Sequence, residues 1–245
     1  MSDRSKQHLL CAEWITLLGF VGVVAVCMVI YPDRSGHFGG YPFFHEFVSA
    51  LGRTVTGEGV GNFGPALFFD ITLGLAVLML IPFWYLRSRC LTGKECWRWT
   101  AFVCCTYFSL GILGVGLTPY NLHPHLHNFC VYTAFIAIVP GGLLMLLKTG
   151  APYYRYPQKW WGLGVIAVVL LSCFVVQFLM TRHLLPHRPT APILQKLNIG
   201  LFLVWIAIEF KLYRRHLLGR PATAVTSSGT DEDADVADSD RRVSA

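Results

Sequence analysis

Apolar residues in this chain gather into six blocks, at about 14–31, 62–86, 99–117, 128–147, 160–180 and 193–213, with short polar segments between them. A helix needs roughly 17–25 residues to cross a bilayer core, and each block meets that length. The first, third, fourth and fifth blocks carry no charged side chain. The second contains Asp70, and the sixth holds Lys196, Glu209 and Lys211 near its ends. Charges so placed reach the interface by snorkelling. Trp14, Trp84, Trp97, Trp99, Trp160 and Trp161 sit near block ends, as an aromatic belt requires. The pattern predicts an all-α fold: a polytopic membrane bundle of six transmembrane helices over residues 1–220. Arg4, Lys6 and His8 before the first block resemble a signal-peptide flank. The block exceeds the 7–15 residues of a signal core and no small-residue cleavage site follows, so it is expected to be a retained helix.

Composition agrees. Hydrophobic residues make up 54% and charged residues 14% of the 245, against roughly 25% charged in soluble domains. A water-soluble globule is thereby excluded. The net charge of +6 does not point to nucleic acid, because the basic residues flank apolar blocks rather than forming a stripe with exposed aromatics. They instead set an orientation. Segment 87–98 carries Arg87, Arg89, Lys94 and Arg98, and segment 148–159 carries Lys148, Arg155 and Lys159. The two flanks of the bundle add Arg4, Lys6, Lys211, Arg214, Arg215 and Arg220. On the opposite side, segment 32–61 has Arg34 and Arg53, segment 118–127 has none, and segment 181–196 has Arg182, Arg188 and Lys196. The positive-inside rule places both termini in the cytoplasm.

Residues 221–245 have little to bury and hold the acidic cluster of Asp231, Glu232, Asp233, Asp235, Asp238 and Asp240. They are expected to form a disordered, solubilising tail. The eight cysteines match no zinc spacing, and those in apolar blocks read as small hydrophobes.

Seven of the nine histidines fall on the predicted outer side: His37, His45, His123, His125, His127, His183 and His187. Three groups of polar residues give that side candidate chemistry. Over residues 43–54, Phe44, Phe47, Val48 and Leu51 follow the i, i+3, i+4, i+7 spacing of a short amphipathic helix between the first and second spans. His45, Glu46, Ser49 and Arg53 share its polar arc. Next, Pro124 suits the first position of the fourth helix, with His123 or a neighbour as its N-cap. His123 and His127 then lie at i and i+4 on one face, a spacing that can ligate a zinc-like divalent metal. Third, Asp70 lies about 12 Å along the second span. An acid there must find a partner, with Arg53 or the outer histidines expected. Glu209 is expected to pair with Lys211 or interfacial basic residues, and Glu13 to lie at the interface.

Two stretches carry a resemblance. His45 to Arg53 with Gly61, Asn62 and Phe63 resembles the S-x-L-G … N segment of a bacterial membrane family known as domain of unknown function 998. Gly111 to Asn121, followed by His123 to His127, resembles its G-x-x-G-x-x-P … H segment. The similarity covers roughly residues 14–213, and the family is distantly similar to the FRAG/DRAM/Sfk-type six-span proteins. Ala50 stands where the family usually has Asp. The resemblance implies a six-span fold in a bacterial cytoplasmic membrane and brings little biochemistry. Ser49, Asp70 and His123/His127 also follow the order used by the alkaline ceramidase and adiponectin-receptor hydrolases. Those proteins have seven spans and a late H-x-x-x-H, so the analogy is chemical.

Three functions follow as expectations. The first is binding of membrane lipid or a protein partner at the outer face through His45, Arg53, Asp70 and Asn121. The second is metal-dependent hydrolysis of a lipid. His123, His127 and either His45 or Asp70 would hold the metal, with Glu46 and Ser49 as the catalytic groups. The third is a transport or proton path through Asp70.

Overall fold

An α-helix satisfies its own backbone hydrogen bonds, which suits apolar blocks that offer no other partner. A computed structural model of the chain describes residues 3–150, 160–162, 164, 165, 167, 168 and 190–218. Its long helices are α1 (Asp3–Val29), α2 (Phe63–Ser88), α3 (Glu95–Leu117), α4 (Pro124–Leu147) and α5 (Thr190–Leu218). Among the described residues, these five are long and apolar enough to cross a membrane. Most of the 160–180 block lies outside the described residues; those described between Trp160 and Val168 are helical. No strand occurs among the described residues, only three isolated β-bridges.

Short connections at 89–94 and 118–123 set α2, α3 and α4 antiparallel. Cys27 near the end of α1 bonds to Pro65 in the first turn of α2, and Gln195 in the second turn of α5 bonds to Val48, between α1 and α2. The C-terminal ends of α1 and α3 therefore lie at the same end as the N-terminal ends of α2, α4 and α5. Pro124 occupies the first turn of α4 and His123 is its N-cap, as the spacing predicts. Helix α1 extends well before Trp14 and buries Leu10 in the core. Between α1 and α2 the structure departs from the pattern. In place of a continuous amphipathic helix over 43–54 there is a turn, then a five-residue 3-10 helix, η1 (Val48–Gly52). Val48, Ala50, Leu51 and Gly52 are buried, whereas Phe44 is exposed. The segment is folded by what it packs on rather than by its own periodicity.

Two kinds of packing hold the bundle. Helices α3 and α4 meet through small residues, which let backbones approach closely. A Cβ on Gly111 would fall 2.7 Å from the Ala134 Cβ, and one on Gly141 would fall 2.6 Å from the Cys105 Sγ. Helix α5 is instead joined to α2 and α3 through large rings. Phe83 meets Phe210 edge-on at 4.5 Å, Phe108 lies 4.9 Å from Phe202, and Trp84 lies 6.3 Å from Trp205. Rings of this size act as spacers as well as contacts.

At the end opposite η1, Arg87 of α2 is fully buried and pairs with Glu209 of α5 at 2.6 Å. Arg87 Nη2 also donates to the Met145 carbonyl and to the Thr149 hydroxyl. Arg87 is thus an interior residue rather than a loop charge, and Glu209 pairs across the bundle rather than with Lys211. Arg89, Lys94 and Arg98 still mark this end as basic. Arg89 and Arg98 share Glu95 at its surface.

Candidate functional site

The η1 end is a clasp made of loops. Asn62, the N-cap of α2, turns its side chain back and donates to the carbonyls of Leu51 and Arg53 at 3.2 and 2.9 Å. Gly52 then packs on Asp70, where a Cβ would meet the Asp70 Oδ1 at 2.5 Å. The start of α5 holds the other side of η1. The Gln195 Oε1 accepts from the Val48 N–H at 2.7 Å, and Lys196 donates to the Glu46 carbonyl. The Lys196 ammonium also lies over the rings of Tyr41 and Phe43. Tyr41 donates to the same Glu46 carbonyl, and burial pushes its hydroxyl above the usual phenol range, so it stays a donor.

The remaining candidate residues are drawn into this clasp. Arg53 pairs with Glu46 at 3.4 Å and lies over the ring of Tyr120. Asn121 is bonded twice to Thr54, donating to its hydroxyl at 2.8 Å and accepting from its N–H at 3.2 Å. His127 is buried, and its Nδ1 contacts the Thr118 carbonyl at 2.8 Å. A carbonyl only accepts, so the proton sits on Nδ1. His45, His123 and His125 are exposed. His37 belongs to a separate turn around Asp33, whose carboxyl is held below the usual range by the Ser35 hydroxyl and neighbouring backbone N–H groups.

Asp70 is half-buried, and no hydrogen bond or ion pair reaches its carboxylate among the described residues. The expected partnership with Arg53 or a histidine is not formed, because the Gly52 backbone covers Asp70 while Arg53 turns toward Glu46 and Tyr120. The metal set fares similarly. His127 is committed to Thr118 and His123 faces outward. Among the described residues no three His, Cys, Asp or Glu groups converge to hold an ion. His183 and His187 lie outside the described residues.

Because Asn62 is buried and anchors two carbonyls while Asn121 ties an exposed loop, the two substitutions differ in cost. Asn62→Ala is expected to lower stability by about 1–3 kcal/mol, and Asn121→Ala by about 1 kcal/mol or less. Denaturation in mild detergent compares them directly.

Beneath the clasp lies a cavity of about 150 Å³, bounded by η1 and all five long helices. Along α2 it runs from Phe69 to Leu80, roughly 16 Å at the helical rise. Phe20, Phe69, Phe108, Phe135, Phe202 and Phe210 line it. Among the described residues its polar lining is confined to the ends: Ser49, Gln195 and Asn198 toward η1, Glu13 and Thr16 toward the basic end. The spacer rings of α5 explain why this space exists. Of the described candidate residues, only Ser49 lines it. Glu13, expected at the interface, is 2% exposed and lines the cavity. The signal was present in the sequence: Leu10, Glu13 and Leu17 share one helical face at i, i+3 and i+7, and both leucines pack in the core.

No family model, curated protein or solved structure matches the chain.

Proposed function

We propose that the chain is an integral membrane protein that binds a lipid, taking part of its apolar chain into the cavity beneath η1. The cavity's lining carries the proposal: hydrocarbon and six phenylalanines along its length, with polar groups at the ends. Its volume compares with engineered apolar cavities of about 150 Å³ that stay dry and admit benzene. It therefore suits a short run of acyl or isoprenoid chain. Exposed Ile71, Leu75, Leu78 and Ile136 supply the apolar exterior that a bilayer covers. The basic end, with Arg89, Lys94, Arg98 and Lys148, belongs in the cytoplasm by the positive-inside rule, and with it both termini. The η1 clasp then faces outward. Its histidines and Asn121 shape that face, while the cavity does the binding. A sixth span over 160–180, the bacterial cytoplasmic membrane and kinship with domain of unknown function 998 are parts of the same proposal.

Ala76 lines the cavity, whereas Leu75 is exposed. After extensive detergent washing, lipid extraction and mass spectrometry are expected to find retained lipid in wild type and in Leu75→Trp. Ala76→Trp, which fills the space, should lose most of it. Equal retention in both variants would overturn the proposal.

A further inference from the structure

Among the described residues, nothing in the clasp or in the bundle's packing accounts for Glu13. The residue sits in α1 at 2% exposure, and its Oε1 is fully buried without a hydrogen-bond partner among the described residues. Its neighbours do not answer it. Thr16, almost one turn on, donates to the Ala12 carbonyl instead. Arg87, the buried cation of the bundle's basic end, is engaged by Glu209 at 2.6 Å. A lone buried carboxyl costs several kcal/mol when ionised, and acids kept inside membrane bundles mark ligand or ion sites. This one lines a cavity that is aromatic and aliphatic along its length, with Thr16 beside Glu13 and Ser49, Gln195 and Asn198 at the far end.

We propose that Glu13 makes the inner end of the cavity a subsite for an organic ammonium, a protonated amine carried on an apolar body. The ammonium N–H donates to the orphaned carboxylate oxygen and supplies the missing counter-charge. Phe108, Phe202 and Phe210 line the same cavity, and an aromatic ring attracts a desolvated cation placed over its face; the apolar lining takes the hydrocarbon. An anionic head group is repelled from this end, and a neutral hydrocarbon chain leaves Oε1 unanswered. The ligand that satisfies both the cavity and its acid is therefore a cationic amphiphile. This specificity rests on the cavity being a binding site, and it names the class of molecule that the site prefers.

Dodecylamine, protonated at neutral pH, and dodecanol form a matched pair of probes. Their binding to full-length protein in nanodiscs, corrected for partition into empty nanodiscs, separates charge recognition from chain burial. Wild type is expected to bind dodecylamine about tenfold or more tightly than dodecanol, the scale of one charge-assisted hydrogen bond. Glu13→Gln should bring the two affinities together while leaving dodecanol binding intact, which also shows that the variant is folded. Glu13→Asp should retain a preference for the amine. Ala76→Trp should weaken both probes. A preference for the amine that survives in Glu13→Gln, or none in wild type, overturns the role of Glu13 alone. Binding of both probes that is unaffected by Ala76→Trp overturns the cavity as a site, and the ammonium subsite with it.

Discussion

Glu209→Leu is expected to destabilise the bundle by about 3–5 kcal/mol, because it strands the Arg87 guanidinium in the interior. The pair is fully buried, at 0% and 1% side-chain exposure, with a contact of 2.6 Å. Arg87 also reaches Met145 and Thr149 at the end of α4, so its loss of a counter-charge is felt by three helices. Arg87→Met combined with Glu209→Leu removes both charges and leaves apolar side chains of similar length. The double variant should therefore be more stable than Glu209→Leu alone, a sign that the two positions are coupled. Glu95→Ala is the control. It breaks exposed pairs with Arg89 and Arg98, each worth about 1 kcal/mol or less. Thermal or SDS unfolding of the four proteins in the same detergent gives the comparison. A Glu209→Leu variant no less stable than Glu95→Ala would contradict the assignment of this pair as the lock between α2 and α5.

Gly111→Leu is the second large effect. A Cβ there would fall 2.7 Å from the Ala134 Cβ, 3.2 Å from the Ala134 Cα and 3.2 Å from the Cys130 carbonyl oxygen. Two of those atoms are backbone, so no rotamer change relieves the overlap and α3 must part from α4. The expected cost is about 3 kcal/mol, at the upper end for overpacked interiors. Gly114→Ala should cost less, since its close neighbour is the Cys130 Sγ at 2.7 Å, the end of a side chain that can rotate. A methyl added at Gly200 would meet no atom of the described residues within 4 Å, so Gly200→Ala should cause no loss. The midpoint of heat-induced aggregation, followed by size-exclusion chromatography, ranks the three. Equal midpoints for Gly111→Leu and Gly200→Ala would mean that α3 and α4 are not in this close contact.

The helices were legible because length and apolarity are local properties, and so were the Pro124 start of α4 and its His123 cap. The clasp was legible only as a collection of residues. Periodicity over 43–54 matched a helix, yet Gly52 must lie flat on Asp70 and Asn62 must hold the carbonyls of Leu51 and Arg53. Those demands come from α2 and tighten the segment into a 3-10 turn. Residue chemistry suggested ligands but did not show the bonds that the fold gives the same residues. Asn121 serves Thr54, His127 serves Thr118, and Arg53 serves Glu46 and Tyr120. Arg87 and Glu209 meet across 122 positions of sequence, a separation that no periodic pattern encodes. The cavity was the least legible feature. It depends on a difference in spacing, glycines drawing α3 onto α4 while rings hold α5 away, and that difference exists only once the helices are placed.

A diazirine-bearing lipid photolysed in native membranes tests the binding of lipid in the cavity most directly. After a chase with excess unlabelled lipid, molecules on the bundle exterior exchange, while one held inside does so slowly. Adducts surviving the chase are expected at Leu73, Ala76 and Ile112, which line the cavity, and to disappear at exposed Leu75, Leu78 and Ile136. Surviving adducts confined to those exterior positions, or none surviving at all, would contradict a lipid bound within the bundle.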